Sequence, residues 1–158
     1  QGRLEYGDRA LGDRSILADP RDADMKRKVN ATIKYREDFR PFAPSIHIEA
    51  IGEYFENAVS TPFMEKASRI RPDKYKTIPA VTHVDGTGRL QTVSKDQNFL
   101  YWNLINEFKK ITGVPIVLNT SFNLKGEPIV CSPKDAIRTF FTSGLDGLFL
   151  GNCLVKKK

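Results

Sequence analysis

The segment Asn119-Thr120-Ser121-Phe122-Asn123 sets two hydroxyls and two amides directly behind the apolar run Pro115-Ile116-Val117-Leu118. None of these side chains ionises near neutral pH. Together they can hydrogen-bond phosphate oxygens or a carbamoyl group without any of them being a base. In α/β sheets such groups gather where the carboxyl end of a strand opens into a loop. Gly126, just beyond, permits a close backbone approach. The plain alternative is a polar turn closing a buried strand.

Basic side chains supply the complement. Lys34, Arg36 and Arg40 lie around a bend that ends at Pro41. An arginine offers a planar donor fork to phosphate or carboxylate, and a lysine a compact point charge. That mixture suits an anion with several oxygens. Glu37 and Asp38 interleave with it, so a solvated charge run is the rival reading. Arg9 stands between Gly7 and Gly12, as if backbone crowds around something the guanidinium holds, with a surface turn as the simpler account. Arg89 follows Asp85-Gly86-Thr87-Gly88, where an exposed strand residue is the ordinary expectation.

Other chemistries lack their residues. The sequence carries no Walker A loop and no dinucleotide-binding glycine fingerprint. His47 and His83 have no metal-ligand partner at helical spacing and read as structural strand residues. Cys131 and Cys153 lack a visible base, and each is expected as a buried free thiol in a reducing cytoplasm. What remains is positioning and charge stabilisation, as in phosphoryl and adenylyl transfer.

The elements that must position these groups follow from local signals. Ser15–Ala18 reads as a strand, closed by the turn pair Asp19-Pro20. Asp22 or Asp24 can cap a helix to about Tyr35, with Met25, Val29 and Ile33 on one face. The prolines at 41 and 44 break helix, and residues 45–48 predict a strand. A short helix through Ile51, Tyr54 and Phe55 and a strand within 64–70 follow, then a basic stretch near Lys74 and Lys76 of no evident role. Residues 80–84 and 90–93 flank Asp85-Gly86-Thr87-Gly88 as a hairpin. A helix over 96–111 carries the apolar stripe Leu100, Leu104, Phe108 and Ile111, and Gly113 ends it. Residues 115–118 predict a strand at a sheet centre. Ser132-Pro133 starts another helix, and residues 145–150 and 154–156 are short strands. The mixed order predicts one α/β (α+β) domain over residues 1–158, a twisted mixed sheet flanked by helices.

Bulk properties narrow the partners. The 158 residues can bury a continuous core, and no apolar run approaches the roughly 20 residues that cross a bilayer. The N-terminal residues are polar and predict no signal peptide. Half of the net charge of +6 comes from Lys156, Lys157 and Lys158, and the remainder is too small to argue nucleic-acid binding. The start at Gln1, with a charge-rich motif almost at once, leads us to expect a domain whose partner lies upstream.

Residues 2–21, residues 30–45 around Phe39-Arg40-Pro41-Phe42-Ala43-Pro44, residues 112–123 and Ser143-Gly144-Leu145-Asp146 together resemble one family. It is the C-terminal domain of the O-carbamoyltransferases, which include nodulation, cephem and tobramycin carbamoyltransferases. The family pattern has phenylalanine and proline where this chain has Tyr6 and Asp8, with Arg9 kept. The resemblance implies a two-domain enzyme. An upstream actin-like ATPase-type domain would carry histidine metal ligands and the acceptor site. This chain would be the YrdC-like domain, which builds carbamoyl-adenylate from carbamoyl phosphate and ATP, releasing phosphate and pyrophosphate. The upstream domain would then pass the carbamoyl group to an acceptor hydroxyl.

YrdC-like domains use a lysine and an arginine with a Ser-x-Asn element. The matching positions here are Lys34, Arg40, Ser121 and Asn123, with Arg9 and Arg89 implied as further anion-contacting arginines. The arginines would neutralise the phosphates of carbamoyl phosphate and ATP, with Mg²⁺ sharing that task. Ser121 and Asn123 would orient the carbamoyl or α-phosphate group. A metal ion of the transfer site is expected only in the upstream domain. Two rivals remain: a YrdC-like RNA-binding or tRNA-modification module, and a non-catalytic domain that supports the upstream one.

Overall fold

The computed structural model describes residues 1–35, 37 and 39–158; Arg36, one of the candidate basic residues, lies outside them. Strand β1 is Ser15–Ala18. Helix α1, Met25–Val29, passes without a break into a π-helical turn, Asn30–Lys34. Tyr35, at φ 45, closes that turn in the left-handed region. Met25, Val29 and Ile33 face the core as their spacing requires. The wider π turn buries Lys34 as well, one residue past Ile33.

Strand β2, Ala43–His47, begins where the prolines forbid helix, and helix α2, Ile51–Tyr54, follows it. Strand β3 is Ala67–Arg69, β4 is Thr87–Arg89 and β5 is Gln91–Val93. The expected hairpin across Asp85-Gly86 is not formed. Pro79 opens a 3-10 turn, Pro79–Val81, in place of the first arm. The Asp85 carboxylate then accepts from the Thr87 amide and hydroxyl, so the turn launches β4 toward a different partner. That partner is β3, antiparallel, with Ala67 opposite Arg89. His83 accordingly lies in a loop and not in a strand.

Helix α3, Phe99–Thr112, is capped by the Asn98 side chain, which accepts from the Tyr101 amide, and ends at Gly113 with φ 78. Strand β6, Ile116–Ser121, runs on through the polar segment read as loop. Helix α4, Pro133–Phe141, starts with a capping box between Ser132 and Asp135. Strands β7, Leu148–Leu150, and β8, Cys153–Val155, form a hairpin at the end. Both cysteines are free, as expected, but exposed and not buried, because they sit ahead of α4 and on this outer hairpin.

The principal sheet has the order β1-β6-β2-β5. β6 is antiparallel to β1 and β2, while β2 is parallel to β5, so the sheet is mixed and its apolar strand is internal. One face carries Ile16, Ile46, Ile116 and Leu118 into the main core. The other packs Val93 and Val117 against Tyr101 and Ile105 of α3. The α3 stripe expected from sequence therefore faces outward at Leu100, Leu104 and Ile111. This helix carries two apolar stripes. The buried one is fixed by Gly12, at φ 134, where a Cβ would lie 2.5 Å from the Tyr101 ring.

Candidate functional site

The carboxyl end of β6 is the place where the candidate residues meet. Asn119, Thr120 and Ser121 line a small open cavity of about 70 Å³ there. Arg9 and Asp8 close it from the N-terminal segment, Pro41, Phe42 and Ala43 from the start of β2, and Arg89 from the end of β4. The register explains the convergence: Asn119 is opposite Leu17 on one side and Ala43 on the other. Met64 completes the wall, held at φ 58, a conformation that costs a non-glycine residue roughly 1 kcal/mol or more.

Two guanidinium groups share this cavity. Burial pushes the Arg89 guanidinium down from its ordinary value and the Arg9 charge pushes it further, while Asp8 pulls the other way. Asp8 is itself mostly exposed and contacts Arg9 at 3.5 Å. The Arg89 Nε is buried with no hydrogen-bond partner among the described residues. A half-buried cation with an unused donor, next to another cation, is an arrangement that an anion would relieve.

Lys34 acts from below. Its Nζ donates to the Asn123 Oδ1 and the Ser121 carbonyl, each at 2.6 Å, and reaches the Ser121 Oγ at 3.2 Å. The Ser121 hydroxyl donates to the same Asn123 Oδ1 at 2.8 Å, and the Asn123 Nδ2 donates to the Glu127 carbonyl at 2.7 Å. The structure thus ties Lys34, Ser121 and Asn123 into one unit, of which Ser121 reaches the cavity wall. Arg40 is not brought in. Its backbone turns on the Glu37 carbonyl, and its Nε lies 3.3 Å from the Glu37 carboxylate in solvent, although Pro41 beside it lines the cavity.

A polar network centred on Asn119, whose partners Ala10, Gln91 and Ser45 local pattern did not single out, underlies the cavity. The Asn119 Nδ2 donates to the Ala10 carbonyl at 3.1 Å and to the Gln91 Oε1 at 2.8 Å. Gln91 in turn accepts from the Ser45 hydroxyl at 2.5 Å and donates to the Leu11 carbonyl at 2.8 Å. The only local signal is an amide at the end of a central apolar strand, where a buried polar group needs partners. His47, also buried, stacks on Trp102 with ring centroids 4.6 Å apart, the structural role expected of it. Among the described residues, no cluster of His, Cys, Asp and Glu could hold a metal ion. A larger hollow of about 210 Å³, lined by Leu11, Pro62, Phe63 and Gln91 among others, has no basic side chain among the described residues of its wall.

A family model described as carbamoyltransferase C-terminus matches residues 1–157. The chain belongs to that family. Over 161 residues it is 56% identical to nodulation protein NolO of Bradyrhizobium diazoefficiens, covering 100% of this chain and 29% of that protein. It is 56% identical over 161 residues to nodulation protein NolNO of Sinorhizobium fredii, covering 100% of this chain and 24% of the relative. Over 152 residues it is 37% identical to the 3'-hydroxymethylcephem-O-carbamoyltransferase of Amycolatopsis lactamdurans, covering 96% of this chain and 29% of that protein. The chain therefore spans less than a third of the length of these relatives. No helix among the described residues is long and apolar enough to cross a membrane.

Proposed function

We propose that this carbamoyltransferase-family domain is YrdC-like and activates the carbamoyl group. It would form carbamoyl-adenylate from carbamoyl phosphate and ATP for an upstream domain of the same polypeptide to transfer to an acceptor hydroxyl. The observation that carries the reading is the pairing of Arg9 and Arg89 across a cavity walled by Asn119, Thr120 and Ser121. Two cations held side by side are suited to a phosphate group, and the hydroxyl and amide groups beside them to a carbamoyl group.

The balance of the reaction assigns the work. Water takes the phosphate from carbamoyl phosphate, leaving carbamate. A carbamate oxygen then forms a bond to the α-phosphorus of ATP, and pyrophosphate leaves with the electron pair of the broken P–O bond. Arg9 and Arg89 hold phosphate charge during both steps. Lys34 fixes the Ser121 and Asn123 oxygens, so that Ser121 keeps one position at the wall. Arg40, at the rim beside Pro41, would meet a ligand only by leaving Glu37. The residues fit Mg²⁺ as a companion of ATP: Asp8 is the one carboxylate in the wall, and such ions are held by one or two carboxylates plus substrate phosphates. When bound, Mg²⁺ would neutralise phosphate charge.

The test is carbamoyl-phosphate-dependent release of pyrophosphate by the complete polypeptide. Arg9→Ala and Arg89→Ala should each abolish it while circular dichroism shows the fold intact. Unchanged release in both variants overturns the assignment, and salt-sensitive binding of tRNA in its place would favour an RNA-binding module.

A further inference from the structure

Two buried polar atoms in the same cavity wall lack partners among the described residues, and they are of opposite kinds. One is the Arg89 Nε, a donor; the other is the Asn119 Oδ1, an acceptor. The Asn119 side chain is 1% exposed, so water does not compensate it freely. Nor can its amide be turned over to hide the oxygen. The Ala10 carbonyl accepts from its nitrogen, and so does the Gln91 Oε1. Gln91 is locked the same way round, because its own nitrogen donates to the Leu11 carbonyl and its oxygen accepts from Ser45. Two backbone carbonyls therefore determine which end of Asn119 is left open.

A ligand that satisfies this wall must present acceptor oxygens to the arginines and a hydrogen-bond donor to Asn119. An acyl phosphate ending in a methyl group offers only the first, because its methyl end has no hydrogen to donate. We infer that Asn119 is the residue that selects a carbamoyl group, its Oδ1 accepting from the substrate NH₂ while Arg9 and Arg89 take the phosphate. This rests on the proposed use of carbamoyl phosphate and adds to it the atom that distinguishes the amide from its isosteres. A methyl group at that place would leave the buried oxygen unpaired, and a site built to receive an N–H discriminates strongly against an analogue that lacks it.

The experiment titrates the protein with carbamoyl phosphate, acetyl phosphate and inorganic phosphate by calorimetry. Carbamoyl phosphate should bind at least about tenfold more tightly than acetyl phosphate. In Asn119→Leu the preference should vanish while inorganic phosphate still binds. If that variant does not fold, Asn119→Ser, which leaves room for water beside Gln91, is to give the same loss of preference. Equal affinity of the native protein for the two acyl phosphates overturns the inference and leaves the carbamoyl-phosphate reading standing. A preference that survives the loss of the amide overturns it too. Failure of all three ligands to bind removes both the inference and the reading on which it rests.

Discussion

Replacing Arg89 by methionine should make the phosphate-free protein more stable and weaken its stabilisation by phosphate. The guanidinium is half-buried, its Nε is unpartnered, and the Arg9 charge opposes it. An unsatisfied buried polar group costs about 1–3 kcal/mol. Methionine keeps the length of the apolar stem and removes both the orphaned donor and the repulsion, so most of that cost is recovered. At roughly 2–4 °C per kcal/mol for a chain of this size, the unfolding midpoint should rise by about 2–10 °C. Binding moves the other way. A hydrogen bond to a charged group contributes about 1.5–3 kcal/mol, so phosphate affinity should fall roughly 10- to 100-fold. Ligand at a hundred times its Kd stabilises the native protein by about 2.7 kcal/mol, and at the same concentration the variant should lose about half of that gain or more. Thermal unfolding in a series of inorganic phosphate concentrations reads both effects at once, the variant starting higher and its midpoint rising less with phosphate. A variant less stable in phosphate-free buffer, or one whose phosphate response is unchanged, refutes the view that Arg89 is held in strain for an anion.

Gly12→Ala should destabilise the protein by about 1–3 kcal/mol, since its Cβ would meet the buried Tyr101 ring at 2.5 Å and its φ is 134; a midpoint unchanged in thermal unfolding counts against the packing described for α3. His83 makes stability fall in acid. Burial holds its imidazole below the ordinary 6.5, with Arg89 adding to the effect and Asp85 opposing it. The unfolded chain therefore binds more protons just below pH 6.5, and stability drops as pH falls from there toward the folded pKa. His83→Asn should flatten that part of a urea-denaturation pH profile, and an unaltered slope would locate the acid sensitivity elsewhere.

What the sequence made legible was governed by how local each cause is. The strand Ser15–Ala18 and the helix opened by Ser132-Pro133 stand where they were read, because a turn pair and a capping box act within a few residues. The mixed α/β character and the internal place of the apolar strand also follow from element order and composition. The Asp85-Gly86 turn was misread because the same turn chemistry serves two arrangements, and the choice between them lies with β3, many residues earlier. On α3 two apolar stripes were present, and contacts distant in sequence, Tyr101 and Ile105 with Val93 and Val117 and Tyr101 with Gly12, go with the buried one. The candidate site divides along the same line. Residue type alone drew attention to Arg9, Lys34, Asn119, Ser121 and Asn123, since charge and hydrogen-bonding chemistry are properties of single residues, while Arg89 read as an ordinary strand residue until the family resemblance raised it. Their arrangement was not readable: Lys34 reaches across 87 residues to Ser121, and Asn119 across 109 to Ala10. Arg40 shows the converse, a residue of suitable chemistry whose own turn directs it to Glu37. Only the long-range network leaves the Asn119 oxygen open, so the feature that would choose between a carbamoyl and an acetyl group is also the one that no short stretch of sequence could disclose.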